Sequence, residues 1–541
     1  MSSYVNPRTM TRIAALATMG TLAVSAQAAD EFIVNNRTEV ISNQVSGPGS
    51  GSSFLDPGTH VMHETDLRWR GTVASGQWNS LFNSTLRYTD SNQFDPERLS
   101  LQKLEWRLND ARYQINLGDY FANLSPYAMT KGIKGVAVQR TLRTDQNYVR
   151  AFYGSFDNEW AYLLKDLARA PMSTMGGGIR VQQAWEKFRL GFNLAEVHDQ
   201  KDAAHATFPA RSQVLPAVDW EYRESGLVVT GEHAYSDTDE VVTAGATAAN
   251  KTGSAHKLVA RASLKDINLD GHVERVTPDF MSLGGGATPD RMRYYMKADY
   301  KLNRDWRLFA VYDSYSDNLA NQKPVTTDVT TRELGFKRAQ AFGRRYMNVA
   351  LSWRDKLNKT SDSSADRTTN RIKLKINDRV GDKYDWRAEV EQILDNDHIK
   401  SQDATSTLYD FGLSYRSRGN EKWEIRGDVD LGRQENGALG IAGTDVSQRL
   451  RLALNADRGN GTVFGASLER NAADLVAALA DNRHLRASVY WQSKPTWLKD
   501  GSMKLEYADF VHSFTENALN DYRERVLKLT LVWNFQKEAK K

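Results

Sequence analysis

The sequence predicts an all-β protein, in particular a large antiparallel transmembrane β-barrel of about 24 to 26 strands. Apolar and polar side chains alternate with a period of two along almost the whole chain, in segments of about ten residues. The N-terminus has the form of an export signal. The mean hydropathy of -0.58 is too polar for a helical membrane protein. Aromatic residues make up 10% of the chain, which is too many for a disordered protein.

Alternation with a period of two indicates strands that have one apolar and one charged face. Between Arg291 and Leu302, the side chains of Tyr294 and Met296 lie on one face and charged side chains on the other. The same division recurs around Ile372 and around Leu450. The basic residues that we predict to line the lumen are Arg291, Arg293, Lys297, Arg371, Lys373, Lys375, Arg449 and Arg451.

Two kinds of sheet are compatible with such faces. In a soluble sandwich or β-helix the apolar face would form a protein core, and strands would be about five or six residues long. In an outer-membrane barrel the apolar face meets lipid, and about 9 to 11 residues cross the bilayer at a tilt. The length of the alternating segments favours the barrel.

The N-terminal segment predicts export. Arg8 and Arg12 precede the apolar run Ile13 to Val24, and the sequence Ala26-Gln27-Ala28 has the form of a cleavage site. The run is too short to span a bilayer. The predicted organisation is a signal peptide over 1–28, a short periplasmic N-terminal segment over 29–58, a transmembrane β-barrel over 59–535 and a charged periplasmic tail over 536–541.

The C-terminal strand carries the most specific motif. Leu531, Trp533 and Phe535 share one face of the segment that begins at Val526. This segment resembles the terminal β-signal of Gram-negative outer-membrane proteins, and the resemblance implies recognition by the barrel-assembly machinery. It differs in that Gln536 to Lys541 follow the terminal aromatic residue. An ordinary hydrophobic strand is the alternative.

The number of strands predicts a lumen too wide to be filled by wall side chains, since barrels of about 16 to 18 strands already enclose an aqueous channel. Water, an inserted segment or another protein would occupy it. Longer connectors are expected outside the cell and tight turns in the periplasm. The outer connectors are predicted within 237–253, 277–290, 317–331, 355–370, 434–447 and 472–482.

One stretch interrupts the alternation with closely spaced glycines. Gly118 and Asp119 are followed by Ser125-Pro126 and then by Gly132 and Gly135. The stretch resembles a strand-turn element of fimbrial ushers and other large export barrels. Glycine within a strand more often marks a bulge or a tight bend. We nevertheless identify Gly118, Asp119, Gly132 and Gly135 as a candidate inward constriction, in which a polar connection folds into the pore.

Composition and motifs exclude several other functions. The chain has no cysteine, so disulfides and cysteine-ligated metals or haems are excluded. It has no GxSxG, HExxH or phosphate-binding glycine motif, and we expect no enzymatic activity, no metal site and no cofactor. The formal net charge of +4 does not suggest a nucleic-acid partner.

Two functional classes remain. The first is an outer-membrane passage for small solutes, or for export of a polymer such as an acidic polysaccharide, with a weak anion preference because acidic residues interleave with the basic ones. The second is a scaffold, since the barrel resembles a family that sheathes periplasmic multihaem cytochromes. The expected partners are outer-membrane lipid, the barrel-assembly machinery and a periplasmic protein or secreted polymer. We expect a monomer in the cell outer membrane.

Overall fold

The structure is a computed structural model of the whole chain. The residues that it describes are 29–53, 55–73, 77–95, 97–157, 159–160, 172–200, 210–241, 248–417, 422–435, 443–475, 482–498, 500–514 and 517–538. The predicted signal peptide, residues 1–28, lies outside the described residues.

The described residues form a single antiparallel sheet of 26 strands. This confirms the predicted fold class and places the strand count at the upper end of the predicted range. In chain order β1 to β26 are Ala29–Ser46, Gly58–Val73, Trp78–Thr89, Leu99–Asn109, Tyr113–Asn123, Thr130–Thr141, Tyr148–Ser155, Thr174–Ala184, Phe188–Asp199, Ala210–Glu224, Leu227–Val241, Ala249–Ser263, Ile267–Val276, Arg291–Lys301, Trp306–Asp317, Thr327–Arg338, Asn348–Thr360, Asp366–Val380, Tyr384–Asp397, Gln402–Arg416, Lys422–Glu435, Thr444–Asp457, Val463–Asp474, Asn482–Ser493, Ser502–Phe514 and Tyr522–Glu538.

The sheet closes on itself between its first and last strands. β1 pairs with β2 on one side and with β26 on the other, in a register that runs from Glu31 opposite Glu538 to Ser46 opposite Arg523. The Lys528 ammonium lies 2.9 Å from the buried Glu39 carboxylate across this closure. Closure joins the edges of the first and last strands, which would otherwise be left unpaired in the membrane.

The closure corrects two predicted boundaries. The assignment of 29–58 to a periplasmic segment before the barrel was wrong, because Ala29–Ser46 is the first barrel strand. The charged tail was also placed too early, because β26 continues to Glu538 and its last residues pair with β1. Residues 539–541 lie outside the described part of the chain.

Connectors at the two ends of the barrel differ in length. The end that carries the termini of the described residues, Ala29 and Glu538, has turns as short as 225–226, between β10 and β11. The opposite end carries longer connectors such as 277–290, between β13 and β14. All the connectors predicted to be extracellular belong to this second end, which we call the outer end.

Short helical turns occur within some connectors, at Ser50–Ser52, Ala341–Gly343 and Ala518–Asn520. In the part of the chain that the structure describes, no helix has the length and apolar character needed to cross a membrane.

Alternation along the strands gives the barrel an apolar outer face and a polar inner face. Large apolar side chains remain exposed on the outer face, for example Phe192 at 54% and Met296 at 58%. The alternate positions carry charged side chains that pair across strands, as Arg293 does with Asp313 at 2.8 Å. An exposed apolar band around a polar interior is the arrangement of a transmembrane β-barrel.

A row of glycines crosses four neighbouring strands of the wall. Gly118, Gly135, Gly154 and Gly176 lie directly opposite one another on β5, β6, β7 and β8. A Cβ atom on Gly135 would lie 2.1 Å from the Tyr153 carbonyl oxygen. Because the neighbouring backbone occupies the space of a side chain, only glycine permits this approach. This glycine row lies beside the connector that joins β5 to β6.

Candidate functional site in the barrel lumen

A row of small side chains lines the lumen face of β10 to β13. Ala217, Ala234, Ala255 and Val276 lie opposite one another on these strands. They are buried, whereas apolar residues on the other face of the same strands, such as Leu258, remain exposed. Something therefore covers the lumen face of this part of the wall.

The cover is the connector 124–129, between β5 and β6. Leu124, Tyr127 and Met129 in this connector are almost completely buried and belong to the same apolar cluster as the alanine row. Since the covered wall faces the lumen, the connector folds into the barrel. The connector proves to be apolar, whereas the sequence had suggested a polar connection.

A second connector, 277–290 between β13 and β14, packs on the first. The Phe280 ring meets the Tyr127 ring edge to face, with centroids 5.8 Å apart. Backbone hydrogen bonds join the two segments, from Thr130 N to Gly284 O at 2.8 Å and from Gly286 N to Pro126 O at 3.0 Å. We call the two segments, 124–129 and 277–290, the inward latch.

Polar contacts hold Tyr127 of the latch against the wall. Its backbone N–H donates to Glu232 at 2.9 Å, and its hydroxyl donates to Glu274 at 2.7 Å. Burial and the Glu274 carboxylate raise the pKa of the Tyr127 hydroxyl. The hydroxyl therefore keeps its proton and remains a donor at physiological pH.

Arg180 on β8 fixes the other end of connector 124–129. Its guanidinium donates to the Leu124 carbonyl oxygen, to Asn193 Oδ1 at 2.7 Å and to both carboxylate oxygens of Asp219, at 2.6 and 2.8 Å. Arg180 must cross β9 to reach Asp219 on β10. Gly191 on β9 makes this possible, because a Cβ atom there would lie 2.6 Å from the guanidinium.

The basic residues predicted to line the lumen lie on the inner face, mostly in ion pairs with residues of the same or a neighbouring strand. Lys373 pairs with both Glu389 and Glu391. The other pairs are Arg291 with Glu274 at 3.1 Å, Arg293 with Asp313 at 2.8 Å, Lys297 with Asp299 at 2.9 Å, Arg371 with Glu391 at 3.1 Å, Lys375 with Glu389 at 3.7 Å and Arg449 with Glu469 at 3.1 Å.

Much of this charged wall remains accessible to water. The side chains of Lys375 and Arg449 are 50% and 48% exposed. Arg451 is exposed as well, opposite Asp428 and Glu469 in the neighbouring strands. A wall of interleaved cations and anions can accept hydrated ions of either sign, with a preference set by the small excess of one charge.

The four residues of the candidate constriction lie on β5 and β6, the strands that connector 124–129 joins. Gly118, with a φ of +93°, forms a bend at the last described pair between β4 and β5. Beyond it, the Asp119 carboxylate accepts from Leu104 N at 2.7 Å and from Trp160 Nε1 at 2.9 Å. Gly135 belongs to the glycine row, whereas a Cβ atom on Gly132 would meet nothing within 4 Å. The connector between these residues is what enters the lumen.

The residues of the predicted assembly signal lie in β26, at the closure of the barrel. Leu531, Trp533 and Phe535 are opposite Thr38, Asn36 and Val34 of β1. Phe535 is exposed on the outer face. Recognition by the assembly machinery stays a prediction.

The latch residues were missed from the sequence, although a signal was present. Ala217, Ala234 and Ala255 occupy lumen-facing positions where a water-filled wall would carry polar side chains. Connector 124–129 is likewise richer in apolar residues than a solvated loop. Small apolar residues on the polar face, together with an apolar connector, indicate an inserted segment.

Within the described ranges, no three His, Asp or Glu side chains gather in a way that suits a metal ion.

The fold and the lumen define the class of this protein, a large β-barrel of the outer-membrane type with a polar interior. No family model matches the chain. No curated protein matches it either.

Among solved structures, the chain is similar to three outer-membrane proteins. The P pilus usher (PapC) translocation pore is 10% identical, with 93% of this chain and 99% of that chain covered and a TM-score of 0.35. The outer membrane transporter YddB from Escherichia coli is 9% identical, with 94% and 81% covered and a TM-score of 0.43. OpdK from Pseudomonas aeruginosa is 9% identical, with 94% and 99% covered and a TM-score of 0.28. Similarities this low carry no functional information, and the fold assignment rests on the closed sheet.

Proposed function

We propose that this protein is an outer-membrane channel whose lumen is narrowed by the inward latch. The observation that carries the proposal is the division of the lumen wall. The latch covers the wall around β8 to β13, while charged side chains of β18 to β22, such as Lys375 and Arg449, remain exposed to water. A barrel of 26 strands is wider than those of about 16 to 18 strands that already enclose a channel.

The proposed cargo is small hydrated solutes, with a weak preference for anions. The ion pairs of the wall offset most of the basic charge, so a strong anion filter is not expected. A more specific proposal is that the channel exports an acidic polymer, which would pass along the same charged wall.

The latch favours a passage over a sheath. A barrel that surrounds a folded periplasmic partner needs an unobstructed lumen, whereas segments 124–129 and 277–290 lie inside this one. We further propose that the barrel inserts as a monomer and that the assembly machinery reads Leu531, Trp533 and Phe535.

Current through the purified barrel in a planar bilayer, with its zero-current potential under a salt gradient, tests the proposed function. We expect a steady conductance and a small potential of the sign given by anion preference. Replacing Arg449→Gln together with Arg451→Gln should shift the potential towards cation selectivity, because Glu469 keeps its negative charge.

Lys187→Gln provides the control for this measurement. Lys187 lies in an exposed turn at the end that carries the termini, paired with Glu224 at 2.6 Å, so its replacement should leave the potential unchanged. A folded barrel that conducts no ions would overturn the proposal of an open channel.

A further inference from the structure

Two histidines face each other across β24 and β25 near the outer end of the barrel. His484 and His512 are directly opposite in register, and their Nδ1 atoms are 2.9 Å apart. The neighbouring residues Leu485 and Val489 are exposed on the outer face. By alternation, the imidazole pair therefore faces the lumen.

The two Nδ1 atoms, each of which can bind a metal, lie next to each other. A neutral imidazole has one N–H donor and one acceptor nitrogen, so a single proton can join the two Nδ1 atoms. When both Nδ1 atoms are deprotonated, two lone pairs face each other, and a cation between the rings would stabilise that arrangement.

A third donor lies beside the pair. Asn471 on β23 is the register partner of His484, so the side chains of Asn471, His484 and His512 form a row across neighbouring strands. The Asn471 amide nitrogen donates to Glu469 at 3.3 Å. Its Oδ1 atom is buried and has no hydrogen-bond partner in the structure. An unsatisfied buried oxygen is uncommon, and a ligand would satisfy it.

Aromatic neighbours hold both imidazole rings. Tyr522 stacks on His512 with centroids 4.3 Å apart and an interplanar angle of 14°. Phe514 meets His484 edge to face at 5.9 Å. Rings fixed in this way lose little conformational entropy when they bind a ligand.

The donor atoms select the class of cation. Imidazole nitrogen suits Cu²⁺ and Ni²⁺, and the affinity of a nitrogen and oxygen site for divalent metals of the first row rises through Ni²⁺ to a maximum at Cu²⁺.

We propose that Asn471, His484 and His512 bind a divalent cation of the Cu²⁺ or Ni²⁺ class at the outer mouth of the lumen. The two imidazole nitrogens and the amide oxygen supply protein ligands, and water completes the coordination. This site is independent of the proposed channel function, because binding requires the folded barrel and no current through it.

The barrel contains a matched control for this site. His233 and His256 are also opposite in register, on β11 and β12, with Nδ1 atoms 2.7 Å apart. They lie on the outer face with the exposed Tyr235. The register partner of His256 on β13 is Arg275, whose positive charge opposes a bound cation.

Titration of Cu²⁺ into the full-length barrel, purified in detergent without a polyhistidine tag, tests the proposal by electron paramagnetic resonance. The variant His233→Ala with His256→Ala should keep one tight site with two nitrogen ligands. The variant His484→Ala with His512→Ala should bind Cu²⁺ at least about tenfold more weakly, the scale of losing a single supporting contact at a metal site. Asn471→Ala should weaken binding while both nitrogens remain coordinated.

Retained gel mobility of unheated samples shows that each variant is folded. Equal affinities in the two double variants would overturn the proposal, as would a spectrum with fewer than two nitrogens in the variant that lacks His233 and His256 but keeps His484 and His512.

Discussion

Replacing Arg180 by leucine is expected to lower the free energy of unfolding by about 3 kcal/mol, because the change leaves the Asp219 carboxylate, which is only 16% exposed, without its cation. Arg180 is 5% exposed, and it bonds Asp219, Asn193 and the Leu124 carbonyl. The same guanidinium thus joins two wall strands to the latch. Urea titration of the barrel in lipid vesicles, followed by tryptophan fluorescence, measures the loss.

Two further variants distinguish this explanation from a general effect of losing a charge. Lys187→Gln breaks an exposed ion pair with Glu224, and it should leave the free energy of unfolding almost unchanged. Adding Asp219→Asn to Arg180→Leu should restore part of the stability, because no uncompensated charge then remains. An Arg180→Leu barrel within about 1 kcal/mol of the wild type would contradict the assigned role.

The second large effect is expected at Gly135. In Gly135→Ala, the added Cβ atom would lie 2.1 Å from the Tyr153 carbonyl oxygen and 2.5 Å from the Gly154 Cα atom. Both contacts are with backbone of the adjacent strand β7, which cannot move without breaking its pairing with β6 and β8. We expect most of this variant to fail to reach the folded form, measured as the fraction that migrates as a compact barrel before heating.

Gly132→Ala is the matched control, since the same substitution in the same strand meets nothing within 4 Å. It should fold as the wild type does. Equal folding of the two variants would show that the close approach of β6 and β7 does not require glycine at position 135.

The outer and inner faces could be predicted from the sequence because lipid and water impose opposite demands on alternate residues. Tyr294 and Met296 are exposed on the outside while Arg293 pairs inside, as the alternation predicts. The strand β1 was missed because Asn36 and Thr38 interrupt its apolar face. Their side chains bond residues of β2, as Thr38 does with His63 Nδ1 at 2.7 Å.

The latch could not be derived from local pattern. Its central hydrogen bond joins Tyr127 to Glu274, which are 147 residues apart. Periodicity reports which face a side chain occupies, and it contains no information about which distant connector covers that face. The ion-pair partners of the lumen cations could likewise not be assigned from the sequence, although the sequence shows that acidic residues interleave with the basic ones.

In the proposed channel an open passage runs beside the inward latch, and single-channel conductance would detect it. The wild type is compared with a variant in which residues 124–129 are replaced by glycine and serine at unchanged length. Tyr127→Ala with Phe280→Ala serves as a milder variant that keeps the backbone of the connector. Pro126→Ala, at an exposed side chain of the same connector, serves as the control.

We predict a steady wild-type conductance that Pro126→Ala leaves unchanged and that both latch variants raise. Folded latch variants with the wild-type conductance would contradict the account.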